Sequence, residues 1–244
     1  MNRQSPIDEP RAEQSRRWPM LAWTHARWVL RTTWRNAEQA LLVLGIPVIA
    51  YLALSRTNFI SSSIPPLVIT AAIVVLAAGF TSPAITLAFE RRYGSFAFLA
   101  TTPLPRSAIV VGTLVAVMIT TAISVGLLVG LTILIPGRTS ANVIAVAASV
   151  ILGLIAVVPW AFVVGGTARS EAVLAIANGI FVVAILFGGV LVPVGAGPIG
   201  TIIGWLPPSN VVQFATAPQA SSALMLLAWG VTGIALASRA FRWR

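Results

Sequence analysis

Five stretches of this chain, residues 39–55, 57–89, 107–137, 139–168 and 172–238, contain no Asp, Glu, Lys or Arg. A soluble fold carries about 25% charged residues, whereas this chain is 9% charged and 57% hydrophobic. A helix that crosses a bilayer needs roughly 20 mostly apolar residues, and most of the uncharged runs exceed that length. The sequence therefore predicts an all-α polytopic membrane protein.

The punctuation within the runs places six spans near 38–55, 65–89, 107–135, 142–166, 171–193 and 220–238, within one membrane domain over 37–244. Between spans five and six, "PVGAGPIGTIIGWLPPSNVVQFATAP" is too rich in proline and glycine for one continuous helix. Short helices that dip back toward the membrane are expected there, with Trp205 suited to the interface. From the residues alone, an ordinary interfacial loop fits that segment equally well.

All sixteen basic residues are arginine. Fourteen of them fall on one side of the six-span arrangement and only Arg56 and Arg138 on the other. Arginine-rich loops stay cytoplasmic, so both termini and the loop around 90–106 are expected on that side. This topology accounts for the net charge of +10 without nucleic-acid binding. Residues 1–17 are polar and lack the features of a cleaved signal, so they predict a disordered cytoplasmic tail. In residues 18–36, Arg27, Arg31 and Arg35 recur every four positions and stack along one helical face. Trp18, Leu21, Ala22, Trp28 and Val29 gather on the opposite face, with Trp23 and Trp34 beside the arginines. A basic, tryptophan-rich amphipathic helix is expected to lie in the membrane interface, either as a lipid anchor or also as a docking surface for a partner.

Several chemistries are excluded or disfavoured. Without lysine there is no GxxxxGK[ST] nucleotide loop, and without cysteine there are neither disulfides nor thiolate metal sites. The single histidine, His25, rules out HExxH and multi-histidine metal sites and reads as an interfacial polar residue. No acid is expected inside a span, because Glu38, Glu90 and Glu171 fall at predicted membrane boundaries. Ion-coupled carriers place ionisable groups there, so energy for transport would have to come from another chain. Pro47, Pro83 and Pro159 lie within spans and Pro193 at the end of one; they read as packing kinks, or as bends in helices that move.

The most unusual passage is "FERRYGSFAFLATTPLPRSAIVVG", a charged, kinked elbow set between apolar runs. It resembles the cytoplasmic loop of the membrane subunits of type-2 ATP-binding-cassette (ABC) exporters, with the matching positions at Glu90, Arg91, Gly94, Ser95, Leu99, Thr102, Pro103 and Arg106. The amphipathic entry helix, the proline-containing first span, the six-span layout and "GWLPPSN" before the last span are similar to that family as well. Where family members often carry further acids, this loop has Tyr93 and Ala97, which leaves it more positive.

The resemblance implies a permease subunit, not itself an enzyme, in the plasma membrane of a bacterium. Two copies of a separate ATPase subunit, binding ATP and Mg, would drive it, and it would pair with a second copy or a paralogous permease. The cargo would be a hydrophobic or amphipathic drug, antibiotic or lipid-like molecule. Glu90, Arg91, Arg92, Tyr93, Gly94, Ser95, Phe98, Leu99, Thr102, Pro103 and Arg106, with Arg169 and Glu171 in a second, smaller loop, would couple the permease to the ATPase. Arg91 and Arg92 also read as plain topology determinants. Trp205, Pro207 and Pro208 would belong to an outer-face gate. Two other classes stay open: a non-transporting scaffold that docks a soluble partner, and a membrane enzyme acting on lipids.

Overall fold

The structure, a computed structural model, describes residues 8–35, 37–56, 64–94, 106–135, 141–191, 195 and 197–240. The regular elements among them are all helical: α1 (Asp8–Arg35), α2 (Ala37–Arg56), α3 (Pro66–Leu76), a π-helical turn (Ala77–Thr81), α4 (Ser82–Arg92), α5 (Arg106–Leu134), α6 (Val143–Thr167), α7 (Ser170–Phe187), α8 (Pro198–Gly204), α9 (Pro207–Thr216) and α10 (Ala220–Ala240). Five segments are long and apolar enough to cross a membrane: Pro66–Arg92, Ser107–Leu134, Val143–Thr167, Ser170–Phe187 and Ala220–Arg239. Val43–Arg56 is a shorter apolar helical stretch. The chain is a multi-pass membrane protein.

Helix α6 is the hub. It packs against α3, the π turn, α4, α5, α7, α9 and α10. Its start is fixed by Asn142, whose side chain accepts hydrogen bonds from the amides of Ile144 (3.0 Å) and Ala145 (3.2 Å), satisfying two amides that a helix start leaves without partners. Around it, Leu67, Val68, Ile69, Val75, Leu154 and Val158 are almost wholly enclosed. The outer helices face the other way, leaving Ile180, Val183 and Phe187 on α7 and Leu224, Val231 and Ile234 on α10 exposed. Between water and lipid, such a surface belongs in lipid.

Pro83 leaves a visible mark. It has no N–H to return to the helix, and the turn before it widens to a π turn in which the Ser82 amide bonds to the Ala77 carbonyl. The predicted kink is thus one extra residue inserted into a continuous rod, Pro66–Arg92.

Helices α1 and α2 both run parallel to α5. Trp18 Nε1 donates to Ser107 Oγ (2.9 Å), His25 Nε2 lies 3.3 Å from Thr113 Oγ1, Ser124 Oγ donates to the Val43 carbonyl (3.0 Å) and Thr132 Oγ1 donates to Tyr51 Oη (2.8 Å). The two series rise together along the sequence, so α2 and α5 point the same way. Gly112 permits the closest approach, since a Cβ there would sit 2.6 Å from the Ala22 carbonyl oxygen.

Several boundaries differ from the sequence expectation. Helix α1 begins at Asp8, within the segment expected to be a disordered tail. The helix at the second expected span continues to Arg92 and so takes in Glu90 and Arg91. Helix α7 stops at Phe187, short of the expected 193, because Gly188 and Gly189 follow and Gly189 adopts φ 76°. Between spans five and six the two short helices α8 and α9 stand where short helices were expected. Pro193 lies outside the described residues.

Candidate functional site

The end of α4 and the turn between α6 and α7 are built into one unit. Arg91 Nη1 donates to the carbonyls of Gly165 (3.0 Å) and Ala168 (3.4 Å). Those oxygens lie in the last turn of α6 and at the residue that caps it, where carbonyls lack helical partners and the helix dipole favours a cation. The helices can close this far because position 165 has no side chain: a Cβ there would meet the Ala84 carbonyl oxygen at 2.5 Å. Next to Arg91, Arg92 forms an ion pair with Glu171 and a 3.4 Å hydrogen bond to Ser170 Oγ, which in turn donates to the other Glu171 oxygen at 3.1 Å. Both members of the ion pair are more than half exposed. Arg169 supplies the residue before α7, and Glu171 sits in its first turn, where negative charge is favoured.

Tyr93 ends α4, three-quarters exposed and stacked on Phe89 at 6.2 Å between ring centroids. Gly94 then takes φ 74°, a left-handed conformation that glycine adopts without penalty. The expected elbow residues Ser95, Phe98, Leu99, Thr102 and Pro103 lie outside the described residues, and Arg106 is the first residue of α5.

Glu90 differs from its two neighbours. It lies inside the helix, and its side chain is partly enclosed where it lines a cleft of about 140 Å³ between α1, α2, α4, α5 and α6. Among the described residues no salt bridge or hydrogen bond reaches its carboxylate. Glu90 lies on the same long helical segment as the buried α3, two residues before its end. His25 departs from expectation. Rather than facing the interface, it is 92% enclosed, lines the same cleft, and stacks on Trp28 at 5.9 Å. Burial holds its pKa below the ordinary value, which keeps the ring neutral. A periodicity in the sequence points to this cleft. Ser82, Thr86 and Glu90 repeat every four residues on α4, and Thr113 and Thr120 are two turns apart on α5, as are His25 and Thr32 on α1.

The rest of α1 follows its expected amphipathic pattern only in part. Ala22, His25 and Ala26 are its buried face and Arg27, Arg31 and Arg35 are exposed, but Trp28 is exposed too, at 51%.

Elsewhere, Trp205 is largely exposed, but its carbonyl accepts a hydrogen bond from Trp229 Nε1 (2.8 Å). The Trp229 carbonyl accepts one from Trp160 Nε1 (3.0 Å), and the rings of Trp160 and Trp229 lie 5.2 Å apart. Pro207 and Pro208 open α9, where a missing N–H costs nothing. Asn210, which the sequence reading passed over, closes the α8–α9 corner by donating to the carbonyls of Gly204 (2.8 Å) and Leu206 (2.9 Å). Among the described residues, no group of three His, Cys, Asp or Glu stands close enough to hold a metal ion. Compared with known proteins, the sequence matches no family model and no curated protein.

Proposed function

We propose that this chain is the permease subunit of an ATP-driven ABC exporter, with six spans and both termini cytoplasmic, working in a bacterial plasma membrane. The observation that carries the reading is the junction of α4 with α6 and α7. Arg91 and Arg92 tie the residues just before the elbow to the ends of two further helices. A push on the elbow would then reach three helices at once, as a coupling element requires. The parallel course of α2 and α5 agrees with first and third spans that cross in the same direction. The fourteen-to-two arginine bias favours a cytoplasmic elbow. A separate ATPase in two copies, holding ATP and Mg, would supply the energy, and a second permease chain would complete the path for a hydrophobic or amphipathic drug, antibiotic or lipid-like cargo. Trp205, Pro207 and Pro208 would close the outer end of that path.

The test is purification from native membranes in mild detergent, followed by an ATPase assay of the eluate. An ATP-binding subunit should co-purify, and Arg91→Ala combined with Glu171→Ala should reduce its association or its hydrolysis. If the chain elutes without any ATPase, the exporter reading fails and a scaffold role takes its place.

A further inference from the structure

We propose that the cleft between α1, α4 and α5 binds the cationic head of an organic amphiphile, with Glu90 as its counter-ion. Glu90 is a partly enclosed carboxylate in a chain of net charge +10, yet no described cation pairs with it. Its two arginine neighbours are turned away, Arg91 to the α6 carbonyls and Arg92 to Glu171. An acid withdrawn from water without a partner is costly, and a bound cation removes that cost.

The remaining walls suit an organic cation better than a hydrated metal ion. Trp28 places an aromatic ring on the lining, a side chain of the kind that attracts ammonium groups. Neutral His25 adds no competing positive charge. Thr113 and Thr120 supply hydroxyls, while Val117 and Phe162 supply apolar surface. A volume of about 140 Å³ matches the cavity size known to admit a benzene-sized group, which is also the scale of a trimethylammonium head. Thr32 and Thr86 on the lining are exposed, so the cleft opens at the surface and leaves an exit for an apolar tail.

The inference deepens the exporter reading by naming a cargo class, and rests on that reading only in treating the bound molecule as cargo. The binding itself is measured on this chain alone, in nanodiscs of phosphatidylcholine, by titration calorimetry with benzyltrimethylammonium and with its uncharged carbon isostere, neopentylbenzene. The charged probe should bind, and Glu90→Gln should weaken it by about tenfold, the scale of one charge-assisted contact. Glu90→Asp should retain most of the affinity, and neopentylbenzene should bind the parent and Glu90→Gln chains alike. Cooperative ligand-free melting of Glu90→Gln at or above the parent's temperature confirms that the variant is folded. Equal affinity of the charged probe for the parent and Glu90→Gln chains would overturn the proposal, as would no binding of that probe to the parent chain. A chain that binds the cation but brings no ATPase keeps the site and loses the transport reading. One that brings an ATPase but ignores the cation does the reverse.

Discussion

Three adjacent residues on α4 face three different surroundings, and their replacements should separate accordingly. Arg91 donates to two carbonyls at the end of α6, so Arg91→Ala leaves those oxygens short of a donor and should cost about 1.5–3 kcal/mol, the usual range for hydrogen bonds to a charged group. Arg92→Ala removes an exposed ion pair and should leave thermal unfolding in detergent unchanged, because solvent screens such pairs. If the two variants melt alike, the assignment of Arg91 as the structural member is wrong. His25 predicts a pH effect. Its folded pKa is depressed below 6.5 by burial, so the unfolded state binds the proton more readily. The contribution is complete above the unfolded value and is lost as pH falls from about 6.5 through the folded pKa. Tryptophan fluorescence, through the Trp28 stacked on His25, should report this loosening. His25→Asn should abolish it, and Glu90→Gln, which removes the other titrating group in the cleft, should not.

At the scale of helices, the contact between α1 and α5 depends on how near Gly112 lets the Ala22 carbonyl come. Gly112→Val should overpack that seam and cost about 1–3 kcal/mol. Melting curves provide the check, together with crosslinking between cysteines placed at Trp18 and Ser107, which should form readily in the parent and poorly in the variant. Much of the element structure was legible in advance. The span expected at 142–166 appears as Val143–Thr167 because uncharged residues, a capping Asn142 and the polar turn at Arg169 leave little freedom. The expected fifth span runs past the end of α7, since two glycines weigh little in a hydropathy pattern yet end the helix. The burial of His25 and the cleft it shares with Glu90 are illegible in the sequence for a different reason. A charge near the end of an apolar run looks the same in sequence whether it meets water or a cleft, and only the packing of α1 against α5 decides.

For the molecule as a whole, the proposed six-span arrangement predicts which face each turn occupies. The chain contains no cysteine, so single cysteines report without background. Cysteines replacing Tyr93 or Arg169 should react with a membrane-impermeant maleimide only after the inner face is opened, whereas cysteines replacing Leu134 or Gly197 should react in intact cells. Labelling of Tyr93→Cys and Gly197→Cys from the same side would overturn the six-span arrangement.

The π turn at Ala77–Thr81 acts as a clocking device. One residue more or fewer in a helix rotates everything beyond it by about 100°. The extra residue before Pro83 therefore sets the azimuth of Ser82, Thr86 and Glu90 relative to the enclosed α3, bringing them to the α1–α5 side while Arg91 meets α6. Deleting Ala78 would restore an even winding and turn Glu90 away from the cleft. A single apolar residue, far from any charge, thus fixes the direction in which the acid points.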